Sequence, residues 1–388
     1  MKFKKLLLGF ITIIGMGAFS HQVSAAEGQA MYRLYNANNG EHFYTGNRVE
    51  KNILMDQGWR YEGRAWKAAA SGQPIYRLYN KNSGEHHYTT SAVEKNWLVT
   101  KGWAYEMIAS YSMAKDEGAP VYRLFNPNER RAGSHHYTLN TYERDMLLKA
   151  GWRDEGVAFY QKAIIIPQPL ILDISGWQVP NKINYDELAN EVDGVIIRVQ
   201  HGTEKQGIEN YAQYLSGEDT AYKTHITEFK KRGVPVAVYA FVMADSVEEM
   251  KREATLFYER AKDFHPVFWW GDFERNTMTE GTMREGAEAF RSQLKALGAK
   301  KVGAYIANHL YEQFNLDVDQ FDAIWMPTYG IYNNGLFDPN EEKSYPSATK
   351  NYDMHQYTSR GELAGYTGNL DLSRLSGRSS FDYLFGGK

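Results

Sequence analysis

The sequence predicts an α/β protein in which a barrel of the β/α kind follows a smaller α+β domain built from three repeats. Three observations predict it: one pattern recurs three times between Tyr32 and Gly156; from about Pro167 short apolar runs alternate with amphipathic helical stretches; and acids stand at the ends of three of those runs. There are no cysteines among the 388 residues, so both units must be held by apolar cores, which a chain of this length can supply.

The chain opens with Lys2, Lys4 and Lys5, then an apolar run from Leu6 to Phe19 and the small residues Val23-Ser24-Ala25. Residues 1–25 are therefore expected to be a secretory signal outside the fold. No later stretch reaches the roughly 18 uninterrupted apolar residues of a membrane span. The mature chain is expected outside the cell, secreted or associated with the wall, with no membrane contact after signal cleavage. Residues 27–162 hold 18 basic against 15 acidic side chains, and residues 163–388 hold 23 against 32. Neither balance is that of a nucleic-acid binder, while the mild positive charge of the first part suits an anionic surface such as a cell wall.

The repeats fill residues 27–162. "YRLYNANNGEHFYTGNRVEKNILMDQGWRYEG" from Tyr32 returns from Tyr76 and again from Tyr122, at periods of 44 and 46 residues. His42 to Trp59, His86 to Trp103 and His135 to Trp152 are each 17 residues apart, which makes that block one rigid unit. Each repeat reads as a strand, an Asn/Gly-rich turn, a second short strand and a helix. Val49, Ile53 and Leu54 share a helical face, as do Val93, Trp97 and Leu98, and Tyr142, Met146 and Leu147; Gly58, Gly102 and Gly151 stand at the helix ends. Units this small are expected to close on a shared core in a threefold, trefoil-like arrangement. The recurring His42, His86 and His135 are expected to be structural, because the neighbouring His87 and His136 are replaced by Phe43 in the first repeat, which argues against a paired-His metal site.

Residues 168–388 form the second unit. "LILDIS", "GVIIRV", "VPVAVYAFV", "PVFWWGDFE", "KVGAYIA", "AIWMPTY" and "YDMHQY" read as strands, with "SVEEMKREATLFYERAKDF" and "TMREGAEAFRSQLKALG" among the helices between them. Continuous apolar strands alternating with helices indicate a parallel sheet buried on both faces, and seven or eight strands in this length fit a barrel.

In such a barrel, reacting groups sit at the C-terminal ends of the strands. "PVFWW" ends in Asp272-Phe273-Glu274, and residues two apart on a strand share a face, so both acids point into the mouth and Phe273 away from it. Two nearby carboxylates, one kept protonated while the other stays ionised, are what glycosidic bond cleavage requires. Asp173 ends the first strand and Asp371 lies in the last, joining them. Tyr239, Phe241, Trp325 and Tyr329 are candidates for stacking on sugar rings, with ordinary core packing as the competing reading for each. Arg198, within an apolar strand, needs a carboxylate partner if it faces inward, and Asp173 or Glu274 would serve.

These segments, from 171 to 375, resemble glycoside hydrolase family 25, the lysozymes of the Chalaropsis type. "ILDISGWQ" is similar to its opening signature, "DGVIIRVQHGT" and "GVPVAVYAF" to its second and third strands, "PVFWWGDFE" to its Asp-x-Glu strand, and "AIWMPTYG" and "YDMHQYTSRGELAGYTGNLDLSRL" to its closing strands. The resemblance implies a flattened (β/α)5β3 barrel that hydrolyses the β-1,4 bond between N-acetylmuramic acid and N-acetylglucosamine in peptidoglycan. It implies Glu274 as general acid, Asp272 orienting the substrate's acetamido group or helping to activate water, Asp173 and Asp371 completing the acidic cluster, and Gln356 among the sugar contacts. His355 departs from the family's usual Trp, and the Trp270-Gly271 pair from its usual lighter residue ahead of the acids. The repeats resemble an aromatic-rich block of unassigned function that accompanies secreted bacterial hydrolases, and wall or glycan binding is expected of them. The competing readings are a barrel of other glycan specificity, such as a chitinase, and a non-catalytic wall-binding protein. Nothing in the sequence indicates a metal, nucleotide or redox cofactor.

Overall fold

The computed structural model describes residues 28–129, 131–164, 169–329, 346 and 350–386; the expected signal segment lies outside them. Each repeat folds as strand, strand, helix, strand. The first contains β1 (Ala30–Asn36), β2 (Glu41–Thr45), α1 (Arg48–Asp56) and β3 (Arg60–Lys67); the second β4 (Gln73–Asn80), β5 (Glu85–Thr89), α2 (Ala92–Thr100) and β6 (Ala104–Ser112); the third β7 (Ala119–Phe125), β8 (His135–Thr138), α3 (Thr141–Lys149) and β9 (Arg153–Gln161). In each, the first strand is central and antiparallel to both others. Asn47, Ser91 and Asn140 cap the helices by accepting backbone N–H groups, and Gly58, Gly102 and Gly151 follow them at φ of 93°, 90° and 92°, where a side chain would be strained.

Two expectations for the repeats are corrected. A third strand follows each helix, beginning just past the Trp that closes the 17-residue block. The helical apolar faces do not build the shared core: Val49, Val93 and Tyr142 are 65%, 80% and 72% exposed. The core closes instead on one tyrosine from the second strand of each repeat. Tyr44, Tyr88 and Tyr137 lie edge to face at 5.5 to 5.8 Å. Tyr44 Oη donates to the Tyr137 carbonyl (2.7 Å), Tyr88 Oη to Tyr44 (2.7 Å) and Tyr137 Oη to Tyr88 (3.0 Å). Each hydroxyl also accepts the backbone N–H of the same tyrosine whose carbonyl it donates to, at 3.0 to 3.2 Å. Two of the recurring histidines are hydrogen-bonded to glutamates of the preceding repeat, His86 Nδ1 to Glu41 at 2.7 Å and His135 Nδ1 to Glu85 at 2.9 Å.

The second unit is a closed eight-stranded barrel. Its elements are β10 (Ile171–Ile174), α4 (Tyr185–Glu191), β11 (Gly194–His201), α5 (Tyr222–Lys231), β12 (Val236–Phe241), α6 (Val247–Ala261), β13 (Trp269–Phe273), α7 (Met283–Leu297), β14 (Val302–Ile306), α8 (Tyr311–Phe314), β15 (Ile324–Pro327), β16 (Met354–Gly361), β17 (Leu370–Leu375) and α9 (Phe381–Phe385). Strands β10 to β16 pair in parallel in chain order, and β17 closes the ring antiparallel to both β16 and β10. Alternate residues divide the apolar strands between two cores. One set, including Leu172, Ile197, Val238 and Phe273, packs beneath the helices. The other, including Ile171, Ile196, Ala237, Phe268, Trp270 and Trp325, fills the barrel interior and continues into Tyr32, Leu34, Phe43 and Tyr61 of the first repeat.

The first repeat is therefore docked on the base of the barrel, away from the strand ends that carry the acids. Lys67 pairs with Glu191 at 2.6 Å, Tyr61 Oη donates to Asp193, and Asn52 Nδ2 donates to the Gly233 carbonyl at 3.1 Å.

Candidate active site

The carboxylates come together at the open end of the barrel because register and alternation put them there. In the β10–β17 pair Asp173 lies directly opposite Asp371. On β13, Asp272 sits between Phe241 of β12 and Tyr305 of β14. Asp173 and Asp272 are buried, at 4% and 5% exposure, whereas Glu274, one step beyond the strand, is exposed at the rim. Phe273 faces outward against Phe290 of α7.

Burial raises the pKa of all four, and repulsion from a neighbouring carboxylate adds to the rise for Asp173, Asp272 and Asp371. Asp173 is pushed well above the usual carboxylate range by burial and by Asp371, and Asp272 by burial and by Glu274. Asp371 is pushed up to about 6 by burial and by Glu274, and Glu274 is raised by burial, partly offset by a hydrogen bond with Tyr305. Groups this close share protons and titrate as a unit. The cluster therefore holds its protons to higher pH than isolated carboxyls would, which is the direction a general acid needs.

Gln356 organises one wall. Its Oε1 accepts from Tyr305 Oη (2.9 Å) and Tyr329 Oη (2.6 Å), which fixes the amide so that Nε2 donates to both oxygens of Asp173, at 3.1 and 3.0 Å. Asp272 differs: its Oδ1 is buried and has no hydrogen-bond partner among the described residues. A buried acceptor without a donor is costly unless a ligand supplies one.

The structure brings Asp173, Asp272, Glu274, Asp371, Gln356, Tyr239 and Tyr329 to one place, with Phe241 at its edge, where its ring lies 4.5 Å from that of His201. Two expectations fail. Arg198 does face the interior, but its partner is Asp219, at 2.9 Å, rather than Asp173 or Glu274. Trp325 is no sugar platform: it is 1% exposed, donates to Ser373 Oγ at 3.0 Å and packs against Trp270 below the acids. Sequence reasoning missed Asp219, which lies in a loop with no strand pattern around it. It also missed Tyr305, whose place two residues after Gly303 in "KVGAYIA" was a usable signal. His355 bonds to the Thr328 carbonyl (2.8 Å) and to Arg374, outside the mouth, so its departure from the family's Trp does not alter the acidic cluster.

A β/α barrel with four carboxylates gathered at its mouth has the arrangement that glycoside hydrolases use, and the comparison with known families shows that class. A family model described as glycosyl hydrolases family 25 matches residues 172–366, half of the chain, and the chain belongs to that family. Residues 30–162 match a domain of unknown function. Among solved structures, one similar chain is a glycosyl hydrolase 25 of Streptococcus pneumoniae, described as a virulence factor participating in host cell invasion. It is 41% identical over 56% of this chain and 93% of its own, with a TM-score of 0.51. The catalytic domain of an endolysin from bacteriophage P40 of Listeria monocytogenes is 24% identical over 58% of this chain and 100% of its own, with a TM-score of 0.47. No curated protein matches.

Proposed function

We propose that this chain is an exported muramidase that cleaves the β-1,4 bond between N-acetylmuramic acid and N-acetylglucosamine in peptidoglycan. The observation that carries the reading is the contrast in position between Glu274 and Asp272, both of raised proton affinity: one carboxyl is open to substrate at the rim, and the other is buried with an oxygen that has no hydrogen-bond partner among the described residues. Glu274 protonates the leaving glycosidic oxygen. Asp272 receives the acetamido N–H of the sugar and turns its carbonyl oxygen towards the anomeric carbon, or accepts a proton from the attacking water. Asp173 and Asp371 hold the cluster's remaining charge and orient the sugar. The first route returns the retained anomer and the second the inverted one, so proton NMR of the fresh reducing end separates them.

The finer reading of the architecture belongs with this proposal. Five helix-separated parallel steps followed by the β15–β16–β17 closure support a (β/α)5β3 barrel, and the cyclic tyrosine bonds support a threefold repeat domain. We place the domains at residues 27–162 and 168–388, with residues 1–25 as a removable signal, and assign the repeats to wall binding. Glu274→Gln is expected to lower the rate of peptidoglycan digestion by about 10² to 10⁴ fold while leaving wall binding intact. Mass analysis of the products decides the bond: reducing-end muramic acid supports the proposal, and reducing-end glucosamine or an absence of products overturns it.

A further inference from the structure

The mouth of the barrel carries a second feature, separate from the acidic cluster. Trp177 lies in the loop after β10 and Tyr211 in the loop between β11 and α5. Their rings meet edge to face with centroids 4.9 Å apart, yet the residues remain 46% and 64% exposed. Keeping two large rings in water forgoes the stabilisation that their burial would bring. The loops are nevertheless built to hold them still.

Asp219 is the tie. Its Oδ2 accepts from the Gly176 backbone N–H at 2.8 Å and from Arg198 Nε at 2.9 Å, and its Oδ1 accepts from the Ala221 N–H at 2.8 Å. Arg198 also donates to the Ala212 carbonyl at 3.3 Å, and Thr220 Oγ1 to the Tyr211 carbonyl at 2.8 Å. The two loops touch so closely at Gly176 that a Cβ there would lie 2.4 Å from the Ala212 oxygen. Asp219 and Arg198 are themselves buried, at 1% and 4% exposure. Arg198 projects from β11 into the mouth, where its charge acts on Asp272. A buried ion pair thus fixes an exposed aromatic ridge relative to the carboxylates.

We propose that Trp177 and Tyr211 form a sugar-stacking ridge, a binding subsite for a glycan unit lying outside the bond being cleaved. The apolar face of a pyranose packs on an aromatic ring while its hydroxyls stay in water, and a ridge at the rim offers such a face without closing the groove. This inference rests on a polymeric glycan substrate, the reading given above. The ridge contributes to binding a long strand and not to bond breaking, so its loss raises KM and spares kcat.

The test uses glycan strands freed of their stem peptides. In the full chain carrying Trp177→Ala and Tyr211→Ala, KM is expected to rise about tenfold with kcat changed less than about twofold. Trp177→Phe, which keeps a ring, should recover most of the loss when Tyr211 is intact. Should the alanine pair fail to fold, Tyr211→Ala alone replaces it, since that side chain is the more exposed of the two. Equilibrium binding of the same strands to Glu274→Gln, with and without the alanine pair, gives a readout that needs no turnover. Unchanged KM and unchanged affinity in a folded variant overturn the ridge, as does an absence of strand binding by Glu274→Gln itself. A wild-type protein that releases glucosamine ends instead overturns the muramidase reading alone, and the binding comparison still decides the ridge.

Discussion

Trp270 and Gly271, directly ahead of Asp272, show how single residues set the site. Trp270 is fully buried in the barrel, stacked on Phe268 at 4.5 Å and edge-on to Trp325 at 5.7 Å, and so forms the floor beneath the carboxylates. On the neighbouring strand Gly303 leaves room for it: a Cβ there would lie 2.4 Å from the Trp270 ring. Gly271 faces the other way, and a Cβ would strike the Phe273 ring at 2.7 Å and Phe290 at 3.2 Å. That dry floor withholds water from the acids and raises their proton affinity. Asp371 carries the consequence. Its carboxyl is pushed up to about 6 in the folded chain from an ordinary 3.8, so the protonated form is favoured by folding, and stability falls as pH rises through that window. Asp371→Asn should therefore raise the melting temperature by about 2–4 °C at pH 7 and by much less at pH 4, while activity is lost. Equal shifts at both pH values would show that burial of its charge is not the cause.

At the scale of elements, β2, β5 and β8 do the same work in three settings. Each places one tyrosine on the common axis, and each hydroxyl serves a backbone N–H and a carbonyl of another repeat. Tyr44→Phe, Tyr88→Phe and Tyr137→Phe each leave two buried backbone groups unserved, and each is expected to cost about 2 kcal/mol. Chemical denaturation of the three variants should give similar losses; a marked inequality would mean that the repeats do not share the core evenly. The strands and turns of the repeats were legible because their period, caps and glycines are local. The exposure of Val49, Val93 and Tyr142 was not, because amphipathic spacing says which residues share a face and nothing about what covers it.

For the whole molecule, the contact between the first repeat and the barrel base matters most. Lys51 of α1 is fully buried there, its Nζ 4.7 Å from the Tyr61 ring centroid and 5.3 Å from that of Tyr32. Burial, reinforced by Arg48 and opposed by Asp193 and Asp382, brings its ammonium down to about 7 from an ordinary 10.5. The folded-state value is depressed, so the penalty for holding Lys51 is complete below about 7 and disappears as pH rises towards 10.5. Lys51→Met should stabilise the protein at pH 6 and progressively less towards pH 9, measured as melting temperature. A gain that does not change with pH would assign the effect to packing. Equivalent helical positions in the other repeats carry Lys95 and Arg144, which lie over Tyr76 and Tyr122, so the motif is common to all three but buried against the barrel only in the first.

By itself the sequence determined the two-part organisation, the threefold period, the barrel strands along the chain and the acids at their ends, because each is written in local spacing and in strand alternation. Only the tertiary structure decided that Asp219 holds Arg198, that Trp325 is floor and not platform, that Gln356 links two tyrosines to Asp173, and that the first repeat packs on the barrel. Those facts depend on side chains that closure of the sheet brings together from segments remote in the chain, and local periodicity does not encode which distant strand becomes a neighbour.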